Sequence, residues 1–321
     1  MQELIRYIEE SWASQTPFVA YHAPHSKEVR CFFPKDSKLR YLQSYDEAGF
    51  VFSAFEISSP PLVFSETSSK VLKFELIDFE IESQSKFSIN EELKEKENYL
   101  ELLTKAINKI KTGELRKIVL SRKIEAAYDL KSPADLLLKL IQFYPEAFTY
   151  VWFHPEIGFW AGASPEVLAK TYRSQFKTMA LAGTKRVDEE REWTPKELEE
   201  QHIVLDEIVS SLKAFSKEVQ VSSRQTEQAG ELLHLRTDIL ATLQTSDVGE
   251  VLKRLHPTSA VCGLPKEQAY EFLKMNEKYE RQFYAGFFGE LNMPHHHQRS
   301  GRTKNQEHQA YKSIVRSSTL N

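Results

Sequence analysis

The sequence predicts an α+β fold in which large, mostly antiparallel sheets pack against helices. Short runs rich in Phe, Val and Tyr recur in the first third of the chain, and longer segments with helical apolar spacing follow them. A length of 321 residues suits one large domain or two closely joined ones. The 41% hydrophobic residues, which include 20 Phe, supply enough apolar surface for a sizeable core.

The first third has the pattern of a sheet. Four β-like runs cover residues 18–21, 29–33, 50–55 and 71–81. Turn signals such as Pro24-His25-Ser26 separate them. We therefore expect residues 1–88 to be the N-terminal, sheet-forming part of the same domain as the rest.

Helices and strands are both expected in residues 89–321. Helices are predicted there at residues 91–112, 133–143, 195–214, 246–255 and 265–281, and strands at 117–127, 147–153, 176–182 and 283–291. A further short helix is predicted at residues 3–13, in the N-terminal part. The helix after Thr194 has the clearest start, because Thr194 can cap it and Glu197 completes a capping box. Residues 293–302, which include three consecutive histidines, are predicted to be a solvated loop, and residues 309–318 a short helix or strand.

Composition argues against several functional classes. The net charge is −4, whereas nucleic-acid-binding domains usually carry a clear Lys/Arg excess. No apolar run reaches the 18 residues of a membrane span, and the acidic start Met1-Gln2-Glu3-Leu4 is unlike a signal peptide. Two cysteines, Cys31 and Cys262, fit a reducing compartment. We expect a cytoplasmic monomer that acts on a small molecule, without nucleic-acid or membrane partners.

Six segments carry residues suited to chemistry. Lys117 begins an apolar strand, where desolvation would lower the pKa of its amine and let it act as a base. Glu166 follows the small residues of Ala161–Pro165, and Gly183-Thr184 ends a strand with groups that can hold an anionic oxygen. Glu200 lies in an acidic helix start that can contribute to a Mg²⁺ site.

The last two segments lie further along the chain. His256 precedes a loop that leads into a helix N-terminus, a natural place for anionic groups. Tyr284 begins a glycine-spaced strand, and Glu277 and Arg281 are spaced as a helical ion pair. Each of the six segments taken alone also fits an ordinary structural role. In chain order these roles are a core strand, a short helix that Ser164-Pro165-Glu166 opens, a strand-to-loop exit, an acidic first turn, a surface or packed histidine, and a structural ion pair.

The order and spacing of these segments resemble the chorismate-binding enzyme family. The series is KIVLSR, GASPEVL, LAGTKR, a Glu-rich helix, ELLHLRT, HPTSAVCGLP and ExxxRxxYAGxxG, and it runs from about residue 90 to 292. The family includes isochorismate, salicylate, anthranilate and aminodeoxychorismate synthases. Lys117 and the His256-Pro257-Thr258 form of the loop resemble the isochorismate branch.

The resemblance implies a mechanism and a set of site residues. Lys117 would be the general base for a water that attacks C2 of chorismate, and Glu166 would protonate the departing C4 hydroxyl. Such roles require a lowered pKa at the lysine and a raised one at the glutamate. Mg²⁺ would be the cofactor, held in part by Glu200. The implied substrate-binding residues are Gly183, Thr184, His256, Tyr284 and Arg316.

The C-terminal segment departs from the family pattern. The family continues with a strand that carries a carboxylate-binding arginine, then a Gly-rich turn and a final helix with a second metal-binding Glu. The sequence offers Arg316 for that arginine, after a longer gap than usual, and neither the turn nor the helix is recognisable. Loss of the strand and the helix would expose apolar surface.

Three functions remain open from sequence. The first is an isochorismate synthase, an isomerase that serves menaquinone or siderophore synthesis. The second is a salicylate synthase, which adds pyruvate elimination at the same site. The third is a truncated, non-catalytic homologue.

Overall fold

The computed structural model describes residues 1–77, 79, 93–126, 130–244, 247–296 and 309–317, with the backbone alone for 93, 295–296 and 309–317. The predicted boundary near residue 88 lies outside these residues and stays a prediction. The described residues form six helices: α1 (Gln2–Ala13), α2 (Leu93–Lys111), α3 (Pro133–Phe143), α4 (Pro195–Lys213), α5 (Val248–Leu255) and α6 (Lys266–Asn276). None of them combines the length and apolar character needed to cross a membrane.

Side-chain caps start three of these helices. The hydroxyl of Ser132 accepts from the amide of Asp135 at α3, and the carboxylate of Asp247 accepts from the amide of Glu250 at α5. Thr194 and Glu197 form the predicted capping box at α4. Each cap satisfies amides that have no partner inside the helix, so these three boundaries follow from local sequence.

The strands of the described residues form two large sheets and one short bridge. In chain order they are β1 (Phe18–His22), β2 (Glu28–Pro34), β3 (Gly49–Ser53), β4 (Leu62–Ser65), β5 (Ser69–Glu75), β6 (Lys117–Ile118), β7 (Phe148–His154), β8 (Gly158–Ser164), β9 (Val167–Tyr172), β10 (Gln175–Arg186), β11 (Ser216–Val221), β12 (Gln225–Ala229), β13 (Leu232–Leu243), β14 (Gly263–Leu264), β15 (Phe287–His296) and β16 (Gln309–Ser317).

Both large sheets are antiparallel, as predicted. The first has the order β5-β2-β1-β7-β8. The second has the order β11-β13-β10-β9-β16-β15-β3-β4, and β12 pairs with β13. Strands from the first third of the chain therefore enter both sheets.

The two sheets pack face to face between layers of helices. Alternate residues of β1 show this: Phe18 packs in a cluster with α1 and α3, whereas Val19 and Tyr21 pack against the second sheet. On the far side of the second sheet, α4 and α5 bury Val204 and Val251 among others. Because β1, β3 and β7 are covered on both faces, they are buried at every consecutive position.

A buried polar network joins the two sheets. Arg30 Nη1 of β2 donates to Glu290 Oε1 of β15 at 2.6 Å, and the Tyr21 hydroxyl donates to the same carboxylate oxygen. Burial, followed by the charge of Glu290, raises the pKa of Tyr21 well above its usual value. The network fixes how the sheets sit on each other, because an unpaired charge at this depth would be costly.

Two predicted elements are shorter than expected. Of the described residues 117–126, Lys117–Ile118 form the strand β6, which is shorter than the strand predicted at 117–127, and the helix predicted at 265–281 ends at Asn276. Arg281 donates to the carbonyl of Val119, and Glu277 accepts from the amide of Ser121. These side chains satisfy backbone groups that a longer strand would have paired.

The C-terminal part of the chain corrects one expectation and decides between the two alternatives of another. β15 continues to His296, so residues 293–296 form a strand and not a loop; residues 297–302 lie outside the described part. Residues 309–317 form β16, which lies between β15 and β9. Of the two alternatives predicted for this segment, a short helix or a strand, the structure has the strand, which pairs with β15 and β9.

Candidate active site

Lys117 enters the site from a two-residue bridge. β6 pairs with β14, so that Leu264 lies opposite Lys117. A Cβ at Gly263 would lie 2.4 Å from the carbonyl oxygen of Lys117, and Gly263 also has a φ of 151°. Glycine is therefore required there for the two segments to approach closely enough to hold the lysine.

The amine of Lys117 is buried and has two close oxygen neighbours. Its Nζ donates to the backbone carbonyl of Ser259 at 2.6 Å and lies 3.3 Å from Glu200 Oε1. Burial lowers the pKa of Lys117, while the carboxylates of Glu200 and Glu166 act in the opposite direction. The direction of this shift is the one that a general base requires.

Glu166 lies where the chain passes from one sheet to the other. β8 is the last strand of the first sheet, and β9 lies inside the second, so residues 165–166 form the crossover. The residue is 3% exposed, and its charge acts on Lys117. The tertiary fold thus brings the two predicted catalytic residues into one buried site. The alternative in which Ser164-Pro165-Glu166 opens a short helix is wrong, because these residues link two strands.

Helix α4 supplies the acidic residues of the site. Glu200 faces Lys117, but Glu197 is held by the capping box and by both Nη atoms of Arg191 at 2.7 and 2.8 Å. Gln201, next to Glu200, is fully buried and donates to Thr237 Oγ1 at 2.9 Å. The helix therefore presents one carboxylate, that of Glu200, beside the amine.

The donor set at Glu200 suits a hard cation bound through few protein oxygens. Among the described residues, no group of three or more His, Cys, Asp and Glu side chains forms a metal site. The side chain of Glu200 is 35% exposed and offers carboxylate oxygens, which Mg²⁺ accepts in company with water and substrate oxygens. The residues fit Mg²⁺ in that partial form and do not form a closed cage.

Gly183 and Thr184 form a bulge in β10. The pairing of β10 with β13 shifts between Ala182 and Thr184, and Gly183 has a φ of 73°, which favours glycine. His234 Nδ1 lies 3.1 Å from Thr184 Oγ1 and 3.3 Å from the carbonyl oxygen of Gly183. His234 is buried, which lowers its pKa. His234 lies in the ELLHLRT motif, and the sequence predicts no role for it.

His256 is a buried, neutral ring. Its Nε2 lies 3.0 Å from the carbonyl oxygen of Ala54, and its ring meets Phe287 edge-on at 5.1 Å. Burial lowers the pKa of His256 to about 4. One ring nitrogen is therefore committed to Ala54, and a contact of His256 with a substrate hydroxyl stays a prediction.

Tyr284 lies in a turn and does not begin a strand, which corrects the sequence prediction. Its amide donates to the carbonyl of Arg281 at 2.8 Å, and β15 starts only at Phe287. Gln282 and Ala285, with φ of 50° and 60°, prevent an extended backbone here. Burial raises the pKa of Tyr284.

The backbone of Arg316 lies beside the crossover that carries Glu166. In the sheet, Arg316 is opposite Phe288 on one side and Val167 on the other. The side chain of Arg316 is outside the described part, so its role in binding a carboxylate stays a prediction. The register brings residue 316 to the same end of the second sheet as Glu166.

A large surface cleft lies elsewhere on the protein, away from the candidate active site. A surface cleft of about 760 Å³ lies between α2 and α6, and its lining includes Phe272 and Met275. It contains none of the predicted site residues. Burial and converging charges at Lys117, Glu166 and Glu200 locate the site instead.

Comparisons with known proteins agree with this arrangement. The chain matches the family described as chorismate binding enzyme over residues 63–309. It is 30% identical over 197 residues to an isochorismate synthase of Pasteurella multocida, which is 57% of this chain and 45% of that protein. It is 31% identical over 205 residues to the corresponding protein of Haemophilus influenzae, which is 59% of this chain and 47% of that protein. The matched region thus spans about half the length of these curated relatives.

Solved structures share the fold. The menaquinone-specific isochorismate synthase of Escherichia coli superposes with a TM-score of 0.73 at 20% identity, covering 95% of this chain and 79% of that chain. Anthranilate synthase component I of Streptococcus pneumoniae superposes with a TM-score of 0.63 at 18% identity, covering 87% of this chain and 73% of that chain.

Proposed function

Because the chain belongs to the chorismate binding enzyme family, we propose that it is an isochorismate synthase, an isomerase that converts chorismate to isochorismate. The observation that carries the proposal is the shared burial of Lys117 and Glu166. Lys117 comes from the short bridge of β6 with β14 and Glu166 from the crossover between the two large sheets, and the charge of Glu166 acts on the amine of Lys117. The names of the relatives in Pasteurella and Haemophilus support the choice of this branch.

In the proposed reaction the two residues move one proton each. The neutral amine of Lys117 removes a proton from a water molecule as its oxygen bonds to C2 of the ring. The ring double bonds shift, the C4–O bond breaks, and Glu166 donates its proton so that the C4 hydroxyl leaves as water. Water is consumed and released, so substrate and product are isomers, and proton exchange then restores both side chains.

Glu200 would hold Mg²⁺, the expected cofactor. The ion would supply positive charge for the substrate carboxylate. Gly183, Thr184, His256, Tyr284 and Arg316 remain the proposed substrate-binding residues. The net charge of −4 and the two buried free thiols, Cys31 and Cys262, support a cytoplasmic enzyme with a small-molecule substrate and no nucleic-acid partner. Operation as a monomer, without membrane attachment, belongs to the same proposal.

Product analysis tests the proposed function. Purified protein is incubated with chorismate and Mg²⁺, and the products are separated by chromatography. We expect isochorismate to accumulate. Salicylate with pyruvate would identify a salicylate synthase, an aminated product in the presence of ammonia would identify an anthranilate-type enzyme, and no product at all would support the non-catalytic alternative.

Variants connect turnover to the two residues. Lys117→Ala and Glu166→Gln should each lower kcat by about 10²- to 10⁴-fold, the usual value of a general acid or base. Lys123→Ala is the matched control, because Lys123 is exposed and pairs only with Glu125 among the contacts described. Full activity of Lys117→Ala would contradict the proposed mechanism.

A further inference from the structure

Glu207 is a partly buried carboxylate for which the proposed reaction has no use. It lies on α4 seven residues after Glu200, which is about two turns, so both residues lie on one face of the helix. Glu207 faces the loop between α5 and β14. Burial raises its pKa, and the charge of Lys266 acts in the opposite direction.

Glu207 contacts Ser259 through two donors of the same residue. Its Oε2 lies 3.5 Å from the amide nitrogen and 3.5 Å from the hydroxyl of Ser259, both long hydrogen bonds. Its Oε1 lies 3.4 Å from the hydroxyl of Ser211, one helical turn further on. The carboxylate is therefore anchored on its own helix while it holds the loop residue.

Ser259 is the residue whose carbonyl binds Lys117. The residue is fully buried, and its carbonyl oxygen accepts from Lys117 Nζ at 2.6 Å. The amide and the carbonyl of one residue are related by only two backbone torsions. A restraint on the amide and the hydroxyl of Ser259 therefore also restrains the direction of its carbonyl.

Lys266 completes the charged surroundings of Glu207. Its Nζ donates to the carbonyls of Arg254 and Leu255 at 2.5 and 3.1 Å, at the C-terminal end of α5. Burial lowers the pKa of Lys266, and the charge of Glu207 opposes that shift. The carboxylate thus lies between the end of α5, the start of α6 and the loop that carries Ser259.

We propose that Glu207 is a positioning residue for Lys117, acting through Ser259. By holding the amide and hydroxyl of Ser259, it directs the Ser259 carbonyl at Nζ and keeps the amine aimed into the site. This inference rests on the proposed function for its catalytic meaning. The restraint on Lys117 itself is measurable without turnover.

The test compares Glu207→Ala with Glu207→Gln. Glutamine keeps an oxygen that accepts from Ser259, whereas alanine removes it. We expect Glu207→Ala to lower kcat by on the order of 10- to 100-fold with little change in KM, as a misplaced catalytic group does. Glu207→Gln should retain most of the activity. Asp206→Ala is the matched control, because Asp206 is the neighbouring acid and pairs with the exposed His202.

A second readout measures Lys117 without chorismate. Trace acetylation of Lys117 is followed by peptide mass spectrometry across a pH series. Glu207→Ala should lower the pKa of Lys117, because loss of the carbonyl acceptor disfavours the charged amine. Glu207→Gln should leave that pKa unchanged. If wild-type protein makes no isochorismate, the proposed function fails, and this titration alone decides the positioning role.

Two results would overturn the inference. One is a Glu207→Ala protein with wild-type kcat and an unchanged Lys117 titration. The other is an equal loss in the alanine and glutamine variants, which would assign the effect to charge. If Glu207→Ala does not fold, Ser259→Ala removes the hydroxyl contact alone. Ser259→Ala should lower both kcat and the pKa of Lys117, by less than Glu207→Ala does. If Ser259→Ala changes neither quantity, the inference is overturned.

Discussion

The Nζ atom of Lys117 lies 3.3 Å from the carboxylate of Glu200, and the two side chains are 8% and 35% exposed. The amine of Lys117 is therefore shielded from water, whereas the carboxylate of Glu200 is partly exposed to solvent. Burial lowers the pKa of Lys117, and Glu200 raises it. Any change that neutralises Glu200 should lower the pKa of Lys117 further.

The first prediction follows from that pair. Glu200→Gln should move the titration of Lys117, measured by trace acetylation, to lower pH than in the wild type. Adding Mg²⁺ to wild-type protein should also lower the pKa of Lys117, because a cation bound at Glu200 cancels the negative charge that stabilises the protonated amine. In the Glu200→Gln protein, Mg²⁺ should leave the titration of Lys117 unchanged.

Glu199→Gln is the control for this experiment. Glu199 lies on the same helix, is exposed, and is 3.7 Å from Arg116. A titration of Lys117 that responds equally to Glu199→Gln and Glu200→Gln would contradict a specific pairing. A response of the Glu200→Gln protein to Mg²⁺ would place the ion elsewhere.

The second prediction concerns the buried ion pair of Glu277 and Arg281. Their side chains are 3% and 2% exposed, and Arg281 also donates to the carbonyls of Val119 and Val261 at 2.8 Å. Arg281→Met should lower the free energy of unfolding by about 3–5 kcal/mol, because it leaves a buried carboxylate unpaired. Urea unfolding measures the change.

The pair Glu101–Lys105 is a matched control for that measurement. It has the same spacing of four residues, but its side chains are 61% and 54% exposed. Lys105→Met should lower the free energy of unfolding far less than Arg281→Met, because water already solvates and screens this exposed pair. Similar costs for the two substitutions would contradict the role of burial.

The third prediction concerns Gly162. Gly162 lies opposite Tyr150 in the pairing of β7 with β8, and a Cβ there would be 2.8 Å from the hydroxyl and 2.9 Å from a ring carbon of Tyr150. Gly162→Ala should destabilise the protein by about 1–3 kcal/mol through overpacking. Thermal unfolding measures the change.

A double-mutant cycle tests the cause. In a Tyr150→Leu background the additional cost of Gly162→Ala should fall, because the ring that the new methyl group meets is absent. An undiminished cost would assign the effect of Gly162→Ala to the strand backbone. The glycine thus leaves room for the Tyr150 ring in the core.

The fourth prediction is a pH dependence of stability. Burial lowers the pKa of His256 to about 4, below its ordinary value near 6.5. The unfolded chain therefore binds more protons at this residue than the folded chain between those two values. Stability due to His256 should be complete above pH 6.5 and should be lost as the pH falls toward 4, by at most about 1.4 kcal/mol per pH unit.

Urea unfolding at several pH values in this window measures the slope. His256→Gln should show a shallower slope than wild type, because its side chain does not titrate. His202→Gln is the control, since it removes an exposed histidine instead of the buried one. Equal slopes in all three proteins would contradict a buried neutral His256.

Local signals in the sequence were sufficient where the structure depends on neighbouring residues. The capping box of Thr194 and Glu197 and the bounds of α3 were predicted from positions a few residues apart, and the structure confirms them. The family and its antiparallel fold also followed from the order of the motifs. The strand predicted at 117–127 was wrong in length, because Arg281 and Glu277 satisfy its backbone from about 160 residues away.

By itself, then, the sequence determined the residue types of the site, the helix starts and the fold class, since these depend on composition, periodicity and spacing. Only the tertiary structure decided which atoms meet. Lys117, Glu200 and Ser259 come from a short bridge, a helix and a loop, and Glu166 from the crossover between the sheets. Their pKa shifts and hydrogen bonds arise from burial and from long-range contacts, and no local pattern encodes either.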